Sequence, residues 1–416
     1  MQNSFNGLEV KDLCASLEAL RGSKERMLET LIHWSGVNSG STNIAGIDEM
    51  AKLAMKRFSG IGFSALRMET SPIPVISSSG EESVIQRGPI LHFSIRPEAE
   101  KRIMLAGHLD TVFPSTSAFQ RAVMRDDGTL HGPGVADMKG GILVMAEGVS
   151  AFEASPWSKE VGLEIVLNSD EEVASHASSQ YMENVAKSAD AGFIFEPALA
   201  DGTLAGARAG SGNYDVVVTG VSAHAGREFD KGRNAIVGAA KVIGALNALN
   251  GKRPDTTLNI GLVSGGTALN VVPDKAIVRL NVRARDTESL AWVDAAIRET
   301  VEQDFGEGVR AQLHGRIHRP AKPMTAGLAS LFNTVRTAGS EIGIPIEWQT
   351  TGGCCDGNNL HRAGLPTVDT MGVRGAHIHS EEEYAVIESF EERARLFSLS
   401  MMMLASGAAP WPKEVQ

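Results

Sequence analysis

The chain has 416 residues, of which 43% are hydrophobic and 21% charged, as in an ordinary globular protein of about two or three domains. The formal net charge of -11 argues against nucleic acid as a partner, because phosphate binding needs a basic surface. The three cysteines, Cys14, Cys354 and Cys355, fit neither a disulfide framework nor a Cys-based zinc finger. We therefore expect a reducing compartment.

The N-terminal sequence lacks the basic start and apolar run of a secretory signal. A stretch of about 18 apolar residues, as a membrane span requires, is not found in the sequence. We therefore expect a cytoplasmic location and no membrane partner.

The first half of the chain alternates helical and strand-like patterns. Helices are predicted where apolar residues recur at helical spacing, and strands where short apolar runs end in turn residues. In chain order the predicted elements are helices at 10–34 and 46–58, strands at 90–95 and 102–105, a helix at 138–152, a strand at 161–167, a helix at 176–186 and a strand at 191–195. This alternation predicts an α/β fold with a mostly parallel sheet flanked by helices.

The pattern changes after about residue 206. The predicted elements are then a strand at 213–219, a helix at 234–249, strands at 257–263 and 275–283, a helix at 288–304 and a strand at 309–317. This β-α-β-β-α-β order is ferredoxin-like, and helices at 327–343 and 389–404 resume the α/β pattern. We predict an α/β domain formed by residues 1–205 and 319–416, with an inserted α+β domain at 206–318.

Polar side chains follow several predicted strands or the glycine-rich loop before a helix. Because the carboxyl ends of parallel strands meet at one sheet edge, these side chains should lie close together. They are His108, Asp110, Asp137, Glu171, Glu172 and Glu196. Imidazole and carboxylate ligands without thiolate suit Zn²⁺, with Mn²⁺ or Co²⁺ as alternatives. A carboxylate such as Asp137 can bridge two cations about 3.5–4 Å apart.

Each of these segments also has an ordinary structural explanation. A histidine after a strand is usually a polar turn residue, and acidic residues such as Glu171 and Glu172 favour a helix N-terminus. The glycine-rich loop at 132–141 lacks the features of a phosphate-binding loop and of a dinucleotide fingerprint, which argues against a nucleotide-dependent oxidoreductase. The joint occurrence of the segments carries the metal hypothesis. Asp110 could orient His108, and one of the adjacent glutamates could stay free as a base.

Five segments, in this order along the chain, resemble motifs of the M20 family of metallopeptidases. They are GHLDTVFP at 107–114, GPGVADMKGG at 132–141, SDEEVAS at 169–175, FEP at 195–197 and HSEEEY at 379–384. The resemblance is closest to the glutamate carboxypeptidase branch, near the acetylornithine and succinyl-diaminopimelate deacylases. It implies a zinc-exopeptidase-like α/β domain with an inserted lid and dimerisation domain. It also implies a homodimer that hydrolyses an amide bond next to a free carboxylate in a small-molecule substrate.

The resemblance further implies a centre of two divalent metal ions. One metal would take His108, Asp137 and Glu196 as ligands. The other would take Asp137, Glu172 and His379, so that Asp137 bridges the pair. The peptide bond after Asp137 would be cis.

Other positions acquire roles from the same resemblance. Glu171 would be the general base and acid, and Asp110 would support His108. His377 competes with His379 as a ligand, and the spacing to the Glu-Tyr pair at 383–384 favours His379.

Matches in the inserted domain extend the site. His224, in GVSAHAGREFDKGRNAI, would reach the active site of a partner subunit and stabilise the developing oxyanion. Asn270 and Arg283 resemble positions that bind the substrate carboxylate.

The segment TGGCCDGN at 351–358 resembles a loop that lines the substrate pocket near Gly353. Cys354 and Cys355 stand where hydroxyl residues are common, and we interpret them as small buried residues. An N-acyl-amino-acid deacylase and a dipeptidase remain alternatives, as does a non-catalytic protein that kept the fold.

Overall fold

The computed structural model describes the backbone of residues 10–415 and the side chains of residues 13–413. Residues 1–9, on which the expectation of no secretory signal rests, lie outside the described residues. The helices are α1 (Val10–Ala15), α2 (Ser23–Ser35), α3 (Ile44–Ser59), α4 (Lys139–Glu153), α5 (Ser179–Ala186), α6 (Ala235–Asn247), α7 (Thr287–Val301), α8 (Ala326–Glu341), α9 (Asp356–Arg362) and α10 (Ser389–Ala405).

The strands are more numerous than the sequence pattern predicts, because many short strands accompany the predicted ones. They are β1 (Ser64–Met68), β2 (Ile73–Ile76), β3 (Glu82–Ile85), β4 (Ile90–Ile95), β5 (Lys101–His108), β6 (Val123–Met124), β7 (Thr129–His131), β8 (Val161–Asn168), β9 (Ala191–Ile194), β10 (Ala198–Leu199), β11 (Leu204–Arg208), β12 (Gly210–Thr219), β13 (Ala223–His224), β14 (Thr256–Gly265), β15 (Val271–Val272), β16 (Lys275–Ala284), β17 (Arg310–Arg319), β18 (Trp348–Thr351), β19 (Thr367–Val368), β20 (Arg374–Ala376) and β21 (Tyr384–Val386).

A six-stranded sheet with the order β1-β4-β8-β5-β9-β19 forms the centre of the α/β domain. Its last four strands are parallel, and β4 and β1 add antiparallel pairs at one edge. Alternate residues of β5 point to opposite faces: Ile103 and Leu105 pack in the core with α4 and α10, and Met104 and Ala106 pack with α5 and α9. Helices thus cover both faces, which confirms the predicted α/β fold with a mostly parallel sheet.

The inserted segment forms a four-stranded antiparallel sheet with the order β14-β16-β12-β17. Helices α6 and α7 pack on this sheet around a separate hydrophobic core that includes Val216, Val242, Val278 and Ile297. Apart from the short strands β13 and β15, the chain follows the ferredoxin-like order. The predicted domain limits and the role of this segment as a lid stay predictions.

The prediction of one continuous helix at 10–34 is wrong. The helix is interrupted by a 3-10 turn at Ser16–Leu20, and α2 starts afresh after Gly22, whose φ of 73° is left-handed. Glycine adopts this conformation without a steric penalty, and it ends the preceding helical segment. Among the described residues, none of the helices combines the length and apolar character needed to cross a membrane.

Candidate metal centre

His108 is the last residue of β5 and lies in the interior of the α/β domain. Its Nδ1 is 2.9 Å from the carbonyl oxygen of Asp110 and 3.4 Å from Asp110 Oδ1. Its Nε2 faces two other carboxylates, at 3.0 Å from Asp137 Oδ1 and 3.7 Å from Glu196 Oε2. Donation from Nδ1–H to the Asp110 carbonyl fixes the ring so that the Nε2 lone pair faces the carboxylate cluster.

Asp137 lies between two histidines. Its Oδ1 faces His108, and its Oδ2 is 3.3 Å from Nε2 of His379. The same His379 nitrogen is 3.1 Å from Oε2 of Glu172. Although burial raises the pKa of Asp137, its hydrogen bonds with His108 and His379 hold that pKa below the ordinary value. The Asp137–Met138 peptide bond is cis, as the family resemblance implied.

Glu196 lies two residues after the end of β9, and its side chain is buried. Burial and the nearby charge of Asp137 raise the pKa of Glu196 to about 8. Its Oε1 is buried and has no hydrogen-bond partner among the described residues. A buried carboxylate oxygen without a partner is costly in a folded protein, and a bound cation would satisfy it.

The described residues contain two groups of side chains whose ligand atoms lie within 4.8 Å of one another: His108, Glu171 and Glu196, and His108, Asp137 and Glu172. The donors are imidazole nitrogens and carboxylate oxygens without thiolate, which suits Zn²⁺, Mn²⁺ or Co²⁺. Together with the unpaired oxygen of Glu196, this donor set fits divalent metal ions. Geometry alone does not separate Glu171 from the ligands, because it lies in the first group.

Asp110 connects His108 to the segment that carries the two glutamates. Its Oδ1 accepts the backbone N–H of Glu171 at 3.2 Å, and its Oδ2 accepts that of Glu172 at 3.3 Å. The hydroxyl of Ser41 also donates to Oδ2, at 2.7 Å. Asp110 therefore contacts the residues that follow both β5 and β8. The sequence predicted only that it would support His108.

Arg319 is a residue of this site that the sequence interpretation missed. Its Nη1 donates to Oε1 of Glu171 at 2.5 Å, and its Nη2 donates to the Glu171 carbonyl at 2.9 Å. Burial raises the pKa of Glu171, and the charge of Arg319 opposes that rise. The sequence signal that could have identified it is an arginine at the point where the chain returns from the inserted domain to the α/β domain.

The two candidate histidines of the last motif differ clearly. Hydrogen bonds to Asp137 and Glu172 raise the pKa of His379 to about 11. The ring of His377 lies instead beside that of Tyr384, with centroids 5.8 Å apart. The structure thus brings His379, and not His377, to the carboxylate cluster.

The inserted-domain residues are not brought to this cluster within one chain. His224 is exposed, and its Nδ1 accepts the N–H of Gly226 on its own segment. Asn270 is also exposed and adjoins the His224 segment, because its carbonyl accepts the N–H of Ala225 at 3.0 Å. Arg283 does approach the α/β domain: its Nη1 donates to the carbonyl of Gly352 at 2.8 Å.

The loop that lines the predicted pocket is held by hydrogen bonds to neighbouring segments. The carbonyl of Gly353 accepts Nη1 of Arg208 at 3.1 Å. Cys355 is buried, as predicted, and its sulfur accepts the N–H of Gly357 at the start of α9. Cys354 is half-buried, with its sulfur 3.0 Å from the carbonyl of Ala209. Burial raises the pKa of both thiols, so both sulfurs are protonated and serve as packing and capping groups.

Comparison with known proteins identifies relatives along most of the chain. Carboxypeptidase G2 of Pseudomonas sp. (strain RS-16) is 24% identical over 397 residues, which are 94% of this chain and 92% of that protein. Succinyl-diaminopimelate desuccinylase of Verminephrobacter eiseniae (strain EF01-2) is 25% identical over 382 residues, 86% of this chain and 93% of that protein.

Solved structures share the fold. The YXEP protein of Bacillus subtilis, described as a dinuclear metal binding peptidase from the M20 family, matches with a TM-score of 0.63 and 16% identity, over 92% of this chain and 99% of that chain. The model of peptidase family M20/M25/M40 matches residues 104–402, more than half of the sequence. The chain therefore belongs to peptidase family M20/M25/M40 and is a hydrolytic enzyme.

Proposed function

We propose that this chain is a dinuclear metal-dependent hydrolase that cleaves an amide or peptide bond next to a free carboxylate, as a glutamate carboxypeptidase does. The observation that carries the proposal is the position of Asp137, whose two carboxylate oxygens lie 3.0 Å and 3.3 Å from the Nε2 atoms of His108 and His379. A carboxylate between two histidines is the arrangement that a bridged pair of cations needs.

One cation would be held by His108, Asp137 and Glu196, and the other by Asp137, Glu172 and His379. The unpaired buried oxygen of Glu196 and the dinuclear description of a relative of the same fold support this assignment. Zn²⁺ is the favoured metal, with Mn²⁺ or Co²⁺ as alternatives. When bound, the two cations would lower the pKa of a water and polarise the scissile carbonyl.

Glu171 is the proposed proton carrier. Arg319 binds its Oε1 at 2.5 Å, so Oε2 is the oxygen that can accept a proton from the attacking water. The same oxygen then returns the proton to the nitrogen of the leaving amine. Burial raises the pKa of Glu171, although the charge of Arg319 opposes that rise, and a raised pKa suits a carboxylate that acts as a general base.

The substrate carboxylate would bind where the inserted domain meets the loop that contains Gly353. Arg283 already donates to the carbonyl of Gly352 in that loop, so its guanidinium lies at the junction of the two domains. A planar guanidinium can bind a carboxylate through two parallel hydrogen bonds. Asn270 would add a further polar contact, and closure of the inserted domain would exclude water from the site.

His224 would stabilise the oxyanion in the active site of a partner subunit of a homodimer. Its exposure supports this role, as does the exposed apolar surface on the same domain. Leu262 and Val263 on the edge strand β14 are 57% and 52% exposed, and Leu269, beside Asn270, is fully exposed. An apolar edge strand with unpaired backbone groups is a surface suited to pairing with a second chain.

A substrate panel tests the proposal. Metal-free protein is reconstituted with Zn²⁺, Mn²⁺ or Co²⁺ and assayed with acyl-glutamates, with N-acetyl-ornithine and N-succinyl-diaminopimelate, and with dipeptides. We expect the largest kcat/KM for an acyl- or peptidyl-glutamate. Faster cleavage of the N-acyl amino acids would select the deacylase alternative, which the similarity to a desuccinylase supports, and dipeptide preference would select a dipeptidase. Absence of hydrolysis in the fully metal-loaded protein would contradict all three.

A further inference from the structure

Glu383 is a buried residue that has no role in the mechanism above, and it contacts the loop that carries Asp137. Its side chain is fully buried. Its Oε1 accepts the backbone N–H groups of Ala136 and Asp137 at 2.9 Å and 3.0 Å, and its Oε2 accepts that of Gly134 at 3.2 Å. Its backbone carbonyl accepts the N–H of Gly132, also at 3.2 Å. One residue therefore makes four hydrogen bonds to the 132–137 loop.

This loop belongs to no strand or helix, so its backbone donors must find partners elsewhere. Pro133 has no N–H group, and the N–H of Val135 bonds to the carbonyl of Gly132. All other N–H groups of 132–137 bond to Glu383. Both carboxyl oxygens of Glu383 thus accept N–H groups of this loop, and its side chain supplies most of the partners for the loop's backbone donors.

The position of Glu383 in the chain gives the contact a second consequence. It lies four residues after His379, and Glu383 N–H donates to the carbonyl of Ser380 at 3.1 Å. The residue thus joins the loop that presents Asp137 to the loop that presents His379. These two side chains come from segments distant in sequence, yet they must keep a separation close to the observed 3.3 Å.

We propose that Glu383 is a positioning residue of the metal centre: its carboxylate fixes the 132–137 loop and so keeps Asp137 aligned with His379 for cation binding. The inference rests on the proposed function, since it assumes that Asp137 and His379 bind metal. Residues that orient metal ligands from outside the coordination shell change metal affinity by roughly 10- to 100-fold when they are replaced.

The test uses a pair of matched variants. Glu383→Gln keeps the size of the side chain and one acceptor oxygen, but it removes the charge and turns an NH₂ group towards backbone N–H donors. Glu147→Gln is the control, because Glu147 is also a buried glutamate and it binds Arg26 and Arg57 at 3.1 Å and 2.6 Å, outside the candidate metal centre. Glu383→Asp keeps the charge on a shorter side chain.

Zn²⁺ affinity is measured by competition with a chromophoric chelator, and the unfolding of each metal-free variant is followed in urea. We expect Glu383→Gln to weaken Zn²⁺ binding by about tenfold or more, Glu383→Asp to restore part of the affinity, and Glu147→Gln to bind as wild type does. Wild-type affinity in Glu383→Gln would overturn the inference, and so would an equal loss in the Glu147→Gln control.

Three further outcomes are informative. If Glu383→Gln does not fold, the comparison is made with Glu383→Asp, whose Zn²⁺ affinity must fall below that of Glu147→Gln for the inference to stand. Failure of the wild-type protein to bind Zn²⁺, Mn²⁺ or Co²⁺ would overturn the proposed function itself. Normal Zn²⁺ binding in the wild type and in both Glu383 variants would overturn only the role of Glu383.

Discussion

The two regions that contribute to the proposed active site differ in how complete they are within one chain. At the edge of the central sheet, His108, Asp137 and Glu196 are buried and lie within a few ångströms of one another. On the inserted domain, His224 and Asn270 are exposed to solvent. We propose that one chain preforms the metal centre and that domain closure or a second subunit completes the catalytic shell.

The physical reason lies in what fixes each region. The ends of strands in a buried parallel sheet have little conformational freedom. The loops that follow are held by backbone hydrogen bonds to the carboxyl groups of Asp110 and Glu383. The inserted domain has its own core, and we propose that it moves relative to the sheet as a unit. Its two connections run side by side, with Arg208 and Lys322 paired through their backbones and both bound to the buried Asp369.

The largest expected effect comes from the sheet edge. Glu171→Gln should lower kcat by about 10²- to 10⁴-fold, the usual contribution of a general acid–base group, while the content of bound metal stays at the wild-type level. The adjacent Glu172→Gln is the contrast, because it should lose metal together with activity. Kinetics and elemental analysis of both variants make the measurement. A Glu171→Gln enzyme that has lost its metal would assign Glu171 to the ligands instead.

On the inserted domain, His224→Ala should lower kcat by about 10²- to 10³-fold, as the loss of one oxyanion donor does. Metal content should not change, because His224 is remote from the ligands within its own chain. A heterodimer of His224→Ala with Glu171→Gln chains contains one site with both residues intact, and it should recover about half of the wild-type rate. Purified heterodimers without activity would show that His224 does not act across the subunit boundary.

A smaller effect is expected where the two regions meet. Arg283→Lys keeps the charge but loses the planar pair of donors, and it should raise KM for a carboxylate substrate by about tenfold, corresponding to the loss of one charge-assisted hydrogen bond of about 1.5 kcal/mol. The matched measurement uses the same substrate with its carboxylate converted to an amide. If the KM values of wild type and variant differ as much for the amide substrate as for the acid, Arg283 does not bind the carboxylate.

The smallest expected effect concerns the outer edge of the inserted domain. Val263→Asp places a charge on β14, and it should weaken dimerisation by about 1 kcal/mol or more, roughly five- to tenfold in Kd. Sedimentation at several concentrations measures the change. Leu66→Asp is the control, because Leu66 is an equally exposed apolar residue on β1, an edge strand of the central sheet. Equal responses of the two variants would mean that β14 is not the dimer surface.

The sequence predicted the regular parts of the molecule because periodicity is a local signal. The long strands β5 and β8 and the helices α4 and α10 followed from apolar spacing. The hairpin of β2 and β3 and the small sheet β10-β20-β21-β7-β6 were missed, since strands of two to four residues leave too little pattern. The break in the helix at Gly22 was also missed. A glycine within a helical pattern of apolar residues does not by itself indicate a left-handed turn.

The site could be predicted as far as its residues follow strand ends or known motifs. The contacts of Arg319 with Glu171 and of Glu383 with the 132–137 loop could not be predicted, because each joins segments more than a hundred residues apart. Such buried ion pairs and carboxylate–backbone contacts depend on tertiary structure alone. The segment GAHIHSEEEY contains two histidines, and the family spacing already favoured His379, the histidine that lies beside Asp137.

We propose that the sheet edge of a single chain forms a complete centre for two cations. Titration of metal-free protein with Zn²⁺ in a calorimeter, on wild type and on His224→Ala in parallel, tests it most directly. We predict two equivalents of Zn²⁺ per chain for both proteins, because the ligands all lie outside the inserted domain. Binding of one equivalent or none by the wild type, or a lower stoichiometry in His224→Ala, would contradict the claim.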